Sequence, residues 1–63
     1  MTQKELAYFE DAIGHEGNII KIFEELLGSM DNQDLIGFMQ DEINTHKDRK
    51  ERLISFLEGL SNE

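Results

Sequence analysis

The stretch LAYFEDAIGHEGNIIKIFEELL, residues 6–27, decides the fold, and its reading turns on the glycines at 14 and 17. Leu6, Phe9, Ile13, Glu16, Ile20, Phe23, Leu27 and then Met30 follow one another at alternating steps of three and four, and all but Glu16 are apolar. That is the period of a helix with one face turned inward, not of a strand. Each glycine inside a helix costs about 1 kcal/mol relative to alanine, so Gly14-His15-Glu16-Gly17-Asn18 could equally be a loop. A loop has no reason to preserve phase, however, and Leu6-Phe9-Ile13 runs into Ile20-Phe23-Leu27 without a slip. One continuous helix over about 3–28 is the expectation. The alternative is a break near Gly14-Gly17 and a three-helix monomer.

The same punctuation extends outward on both sides. Thr2-Gln3-Lys4-Glu5 has the capping-box spacing, in which the threonine hydroxyl takes the Glu5 amide and the Glu5 carboxylate reaches back. Gly28 is a natural left-handed residue at a helix C-terminus, and Ser29, Asp31 and Asn32 supply turn chemistry and N-cap candidates. A second helix is expected over about 33–59. There Ile36, Met39, Ile43, His46, Lys50, Leu53, Leu57 and Leu60 repeat the three/four spacing, Leu35 and Phe56 widen the stripe, and Gly59 marks the place to stop. A turn over about 29–32 is of the length that joins antiparallel neighbours. The fold class is all-α: a single domain over 1–63, an antiparallel two-helix hairpin.

Composition limits what such a hairpin can do. A 63-residue chain buries only about 60% of the surface its unfolded form exposes, and with no cysteine it has neither disulfides nor thiolate metal sites. Ala12, Ile19 and Leu26 broaden the first apolar stripe beyond what one two-helix seam covers. The excess calls for a homodimer closing a four-helix bundle. Fourteen acidic against six basic residues leave a formal charge of −8. Such a surface repels phosphate backbones and anionic lipid, so neither nucleic acid nor membrane is an expected partner. A basic protein partner fits the charge. Leu6-Ala7-Tyr8-Phe9 is the longest apolar run, too short to span a membrane or form a signal-peptide core. The chain, beginning at Met1, reads as a complete cytoplasmic protein.

Both stripes are interrupted at mid-length by polar residues. Glu16 stands on the first and His46 and Lys50 on the second, with Glu42 and Arg49 alongside. In a hairpin turning near residue 31, Glu16 falls level with His46, and Glu42 and His46, four apart, share a helix face. Two readings are open. Glu16, Glu42 and His46, doubled by a two-fold, have the donor chemistry of an iron, manganese or zinc site between helices. Alternatively, the layer pairs internally, with Lys50 and Arg49 reaching the acids, and fixes register. Asp11 and His15, also four apart, read as a surface pair. No nucleophile–base constellation is visible, Ser29, Ser55 and Ser61 all lying towards helix ends.

Leu35 to Leu60, with Asp41-Glu42-Ile43-Asn44-Thr45-His46 inside it, resembles the second helix of a ferritin-like or rubrerythrin-like hairpin. Tyr8-Phe9-Glu10-Asp11-Ala12-Ile13-Gly14-His15-Glu16 resembles the opening of short coat-F-type spore coat proteins. The resemblance implies a helical hairpin and, in di-iron members, a carboxylate three residues before the histidine; here that place holds Ile43. Three functions stand as expectations: a small acidic homodimeric structural or interaction protein without enzymatic activity, a ferritin-like di-metal binder, and an acidic regulatory module for a basic partner.

Overall fold

A computed structural model describes residues 1–61 as two α-helices, α1 (Gln3–Leu27) and α2 (Gln33–Ser61), packed against each other as a hairpin. Residues 62 and 63 of the single domain expected over 1–63 lie outside the described residues. There are no strands among the described residues.

Helix α1 runs unbroken through Gly14 and Gly17, which overturns the three-helix alternative. The physical reason lies in what flanks the glycines. Keeping the helix intact holds Ile13, Glu16, Ile20 and Phe23 on one line facing α2, so the seam recovers more than the local glycine penalty of about 2 kcal/mol. Its start is the expected capping box: the Thr2 amide donates to Glu5 Oε1 at 2.8 Å and the Glu5 amide donates to Thr2 Oγ1 at 3.0 Å. The Thr2 backbone amide first, and the Thr2 hydroxyl second, hold the exposed Glu5 carboxyl below the usual carboxylate value.

The end of α1 differs from expectation. Gly28 has φ −64° and ψ −18°, right-handed rather than left-handed. The chain leaves instead through a tightened turn, with the Ser29 amide bonding Leu26 O at 3.0 Å and the Met30 amide bonding Leu27 O at 3.3 Å. These three-residue steps satisfy the final carbonyls without a positive φ. Of the candidate caps for α2, Asn32 is the one used: its Oδ1 accepts from the Asp34 and Leu35 amides at 3.0 and 3.2 Å. At the far end α2 continues past Gly59 to Ser61, because no glycine adopts a positive φ there. Leu60 thereby stays half-buried beside the first turn of α1.

The core is narrow. Ile20, Met39 and Ile43 are the buried apolar side chains, joined by the carboxylate Glu16. Phe9 stacks on Phe56 at the open end, ring centroids 5.4 Å apart and planes 12° from parallel. The molecule measures 47 × 17 × 11 Å. Its smallest dimension is about one helix diameter, so the hairpin is a single layer. No described helix is long and apolar enough to cross a membrane.

Candidate functional site

Midway along the hairpin the seam turns polar. Glu16, at 9% exposure, is the one buried charged residue among those described. Its place on α1 comes from the unbroken three/four phase, which points the carboxylate at α2 rather than at solvent. There His46 Nδ1 hydrogen-bonds Glu16 Oε2. Arg49 Nη1 stands 3.7 Å from the other oxygen, Oε1. Glu42, one turn before His46 on α2, brings Oε2 to 3.7 Å from His46 Nε2. The Phe23 ring lies 6.2 Å from the imidazole, tilted by 37°.

The structure thus brings together all three residues expected in a metal set, but around the imidazole rather than around a common point. Glu16 takes one ring nitrogen and Glu42 approaches the other, on the opposite edge. An ion on Nε2 would meet Glu42 and not Glu16, and among the described residues no group of three or more His, Asp or Glu is disposed to hold a metal ion. As it stands the layer orients a ring: the Glu16 carboxylate holds one histidine across the seam, with Arg49 beside that carboxylate and Glu42 near the far edge of the ring. Both buried oxygens of Glu16 have a cationic or hydrogen-bonding neighbour, and no buried side-chain polar atom among the described residues lacks a partner.

Arg49 reaches Glu16 as expected, whereas Lys50 does not approach either acid. Its ammonium lies across α1 at Gly17, 3.5 Å from where a Cβ would stand. Asp11 and His15 are both exposed and make no ion pair with each other.

Compared with protein-family models, with curated proteins and with solved structures, the chain matches none. Its function is therefore to be sought in its own surface.

That surface is lopsided. Residues along a helix advance by about 100° each. On α1, Tyr8, Ile19 and Leu26 lie a quarter to a third of a turn from the seam line, and Ile22 about two fifths, all in one rotational sense. On α2, Leu35, Phe38 and Phe56 are offset in the same rotational sense. Because the helices run antiparallel, offsets of one sense on both emerge on one side of the layer. All the large exposed apolar side chains of the described residues except Leu6 belong to this side, Met1 joining it at the open end. Shallow cavities of about 410 and 390 Å³ open there, one lined by Phe9, Arg49, Arg52, Leu53 and Phe56, the other by Met1, Glu5, Tyr8, Phe9, Phe56 and Leu60. On the opposite side Lys47, Lys50 and Glu51 surround Gly17, Ile20 and Ile54. The first side carries nearly all the exposed apolar bulk, with Arg49 and Arg52 among it, and the second is charged. Sequence reasoning saw the excess apolar width but not that both helices send it to the same side, which requires knowing how each is rotated about its axis.

Proposed function

We propose that this protein is a self-associating structural or interaction module, in which two hairpins join their apolar sides to make a four-helix bundle with an acidic exterior. The observation that carries this reading is the area. The chain exposes 4975 Å², whereas a compact monomer of 7.3 kDa exposes about 4,200 Å². The difference of about 800 Å² equals what each partner contributes to a stable interface of ordinary size. The radius of gyration, 14.7 Å against about 11 Å for a compact chain of this length, carries the same message of a half-built bundle. A second copy supplies an identical single layer with an identical apolar side, so an isologous contact covers both at once. The outward surface of such a bundle would carry most of the net charge of −8 per chain, which suits a basic protein partner and solubility alike.

Light scattering coupled to size exclusion tests this directly, with a mass of twice 7.3 kDa expected. Phe38 is highly exposed on the apolar side of α2 and is absent from the narrow core. Phe38→Glu should therefore shift the protein toward a monomer, raising the dissociation constant at least about 100-fold. A well-folded particle of 7.3 kDa at about 100 µM wild-type protein, or a dimer indifferent to Phe38→Glu, would refute the reading.

A further inference from the structure

Helix α2 carries a stripe with an internal symmetry of its own. Leu35, Glu42, Arg49 and Phe56 are spaced seven, seven and seven residues apart, so they lie nearly on one line along the helix. The order is apolar, acidic, basic, apolar. Reversed about its midpoint between 42 and 49, the line meets its own complement: apolar on apolar, acid on base. All four belong to the apolar side, where Leu35 is 49% and Phe56 54% exposed and the side chains of Glu42 and Arg49 are 37% and 56% exposed. Neither charged group is well matched inside its own chain. Arg49 has five N–H donors and a single ion-pair neighbour at 3.7 Å, and Glu42 sits at the same distance from a ring nitrogen, beyond hydrogen-bonding reach.

We infer that the two copies pack α2 against α2 in antiparallel fashion, about a two-fold axis crossing the helix beside His46, so that Arg49 of each chain pairs with Glu42 of the other. This rests on the self-association proposed above and adds its register. The same axis sets Leu35 against Phe56 of the second copy, both standing ten or eleven residues from the midpoint. A two-fold running along the helices, the other way to face the layers together, would set residues of equal height against each other and leave Arg49 away from Glu42. Charge complementarity selects the first arrangement. The Glu16–His46–Glu42 layer then lies on the axis, and its polar character specifies alignment where the flanking apolar contacts alone would tolerate slippage.

Paired charge reversals test the register. Arg49→Glu and Glu42→Arg each oppose like charges twice per homodimer, so each should raise the dissociation constant at least about tenfold. Mixed one to one, an Arg49→Glu chain and a Glu42→Arg chain oppose unlike charges at both places. A heterodimer within about threefold of wild-type affinity is expected. Cross-linking supplies a readout that needs no reversal, since the natural chain has no cysteine. Leu35→Cys chains mixed with Phe56→Cys chains should form mixed disulfide dimers on mild oxidation. Leu35→Cys alone should not link to itself, because the inferred register separates its two copies by about 30 Å. Self-linking through position 35, or charge-reversed chains that fail to find each other while the wild type remains dimeric, would overturn the register and leave the dimer standing. A monomeric wild type would overturn both.

Discussion

Gly14 and Gly28 both have room for a side chain. A Cβ built at Gly14 meets nothing within 4 Å, and one at Gly28 meets Glu25 O at 3.5 Å, an ordinary contact. Neither glycine has a positive φ. Gly14→Ala should therefore stabilise the protein by about 0.5–1 kcal/mol, and Gly28→Ala should be neutral or stabilising by a similar amount, as read from urea midpoints. Had Gly28 been left-handed, alanine there would have destabilised by about 1 kcal/mol, so the pair checks the right-handed exit of α1 as well. At the polar layer, His46→Ala strands the buried Glu16 carboxylate with only the distant Arg49, and a loss of about 2–3 kcal/mol is expected. Glu16→Met combined with His46→Leu removes both partners and should cost little or even stabilise. A double variant as damaged as the single one would show that the pair does more than satisfy itself. These residues were legible as a polar interruption because they broke a regular apolar spacing. Their pairing was not, since which nitrogen meets which carboxylate depends on rotamers that no spacing encodes.

Sequence named both helix starts and the place where α1 stops; it missed the handedness of that stop and the end of α2. Thr2 with Glu5 and Asn32 were readable because capping chemistry is local: donor, acceptor and backbone lie within three residues of one another. Gly28 misled in handedness and Gly59 in position because glycine permits a left-handed stop without requiring one, and the residues downstream make the choice. Met30 and Leu60 both turn back to partial burial, and the backbone stays right-handed to take them there. The capping box makes α1 sensitive to acid. Glu5 has its folded value depressed below 4.5, so the stabilisation is complete above the unfolded value and is lost as pH falls through the lower folded one. Protection of the first-turn amides of α1, taken relative to intrinsic exchange at each pH, should fall as pH drops through the lowered Glu5 value in the wild type. In Thr2→Ala, where the hydroxyl bond is gone, exchange should already be fast at neutral pH and lose part of that acid dependence.

At the scale of the molecule, no described side chain is fully buried in the single hairpin, so a lone copy has little to resist unfolding. If assembly completes the core, thermal stability must depend on protein concentration. Tenfold dilution should lower the midpoint by roughly 5 °C, where a self-sufficient monomer would show no change. The hairpin itself was readable because helix phase and a short linker leave few alternatives. The open side was readable only as an excess of apolar width.

The hairpin returns the beginning of α1 and the end of α2 to one pole of a body 47 Å long. Two copies related by an axis across their middles would therefore send their chain ends out at opposite poles. Anything tethered to those ends, whether a fused domain or a fluorescent label, would be held apart by nearly the full span, and the pair would behave as a strut. Energy transfer between labels at position 1 of each copy would be clearly lower than transfer between position 1 of one copy and the turn of the other.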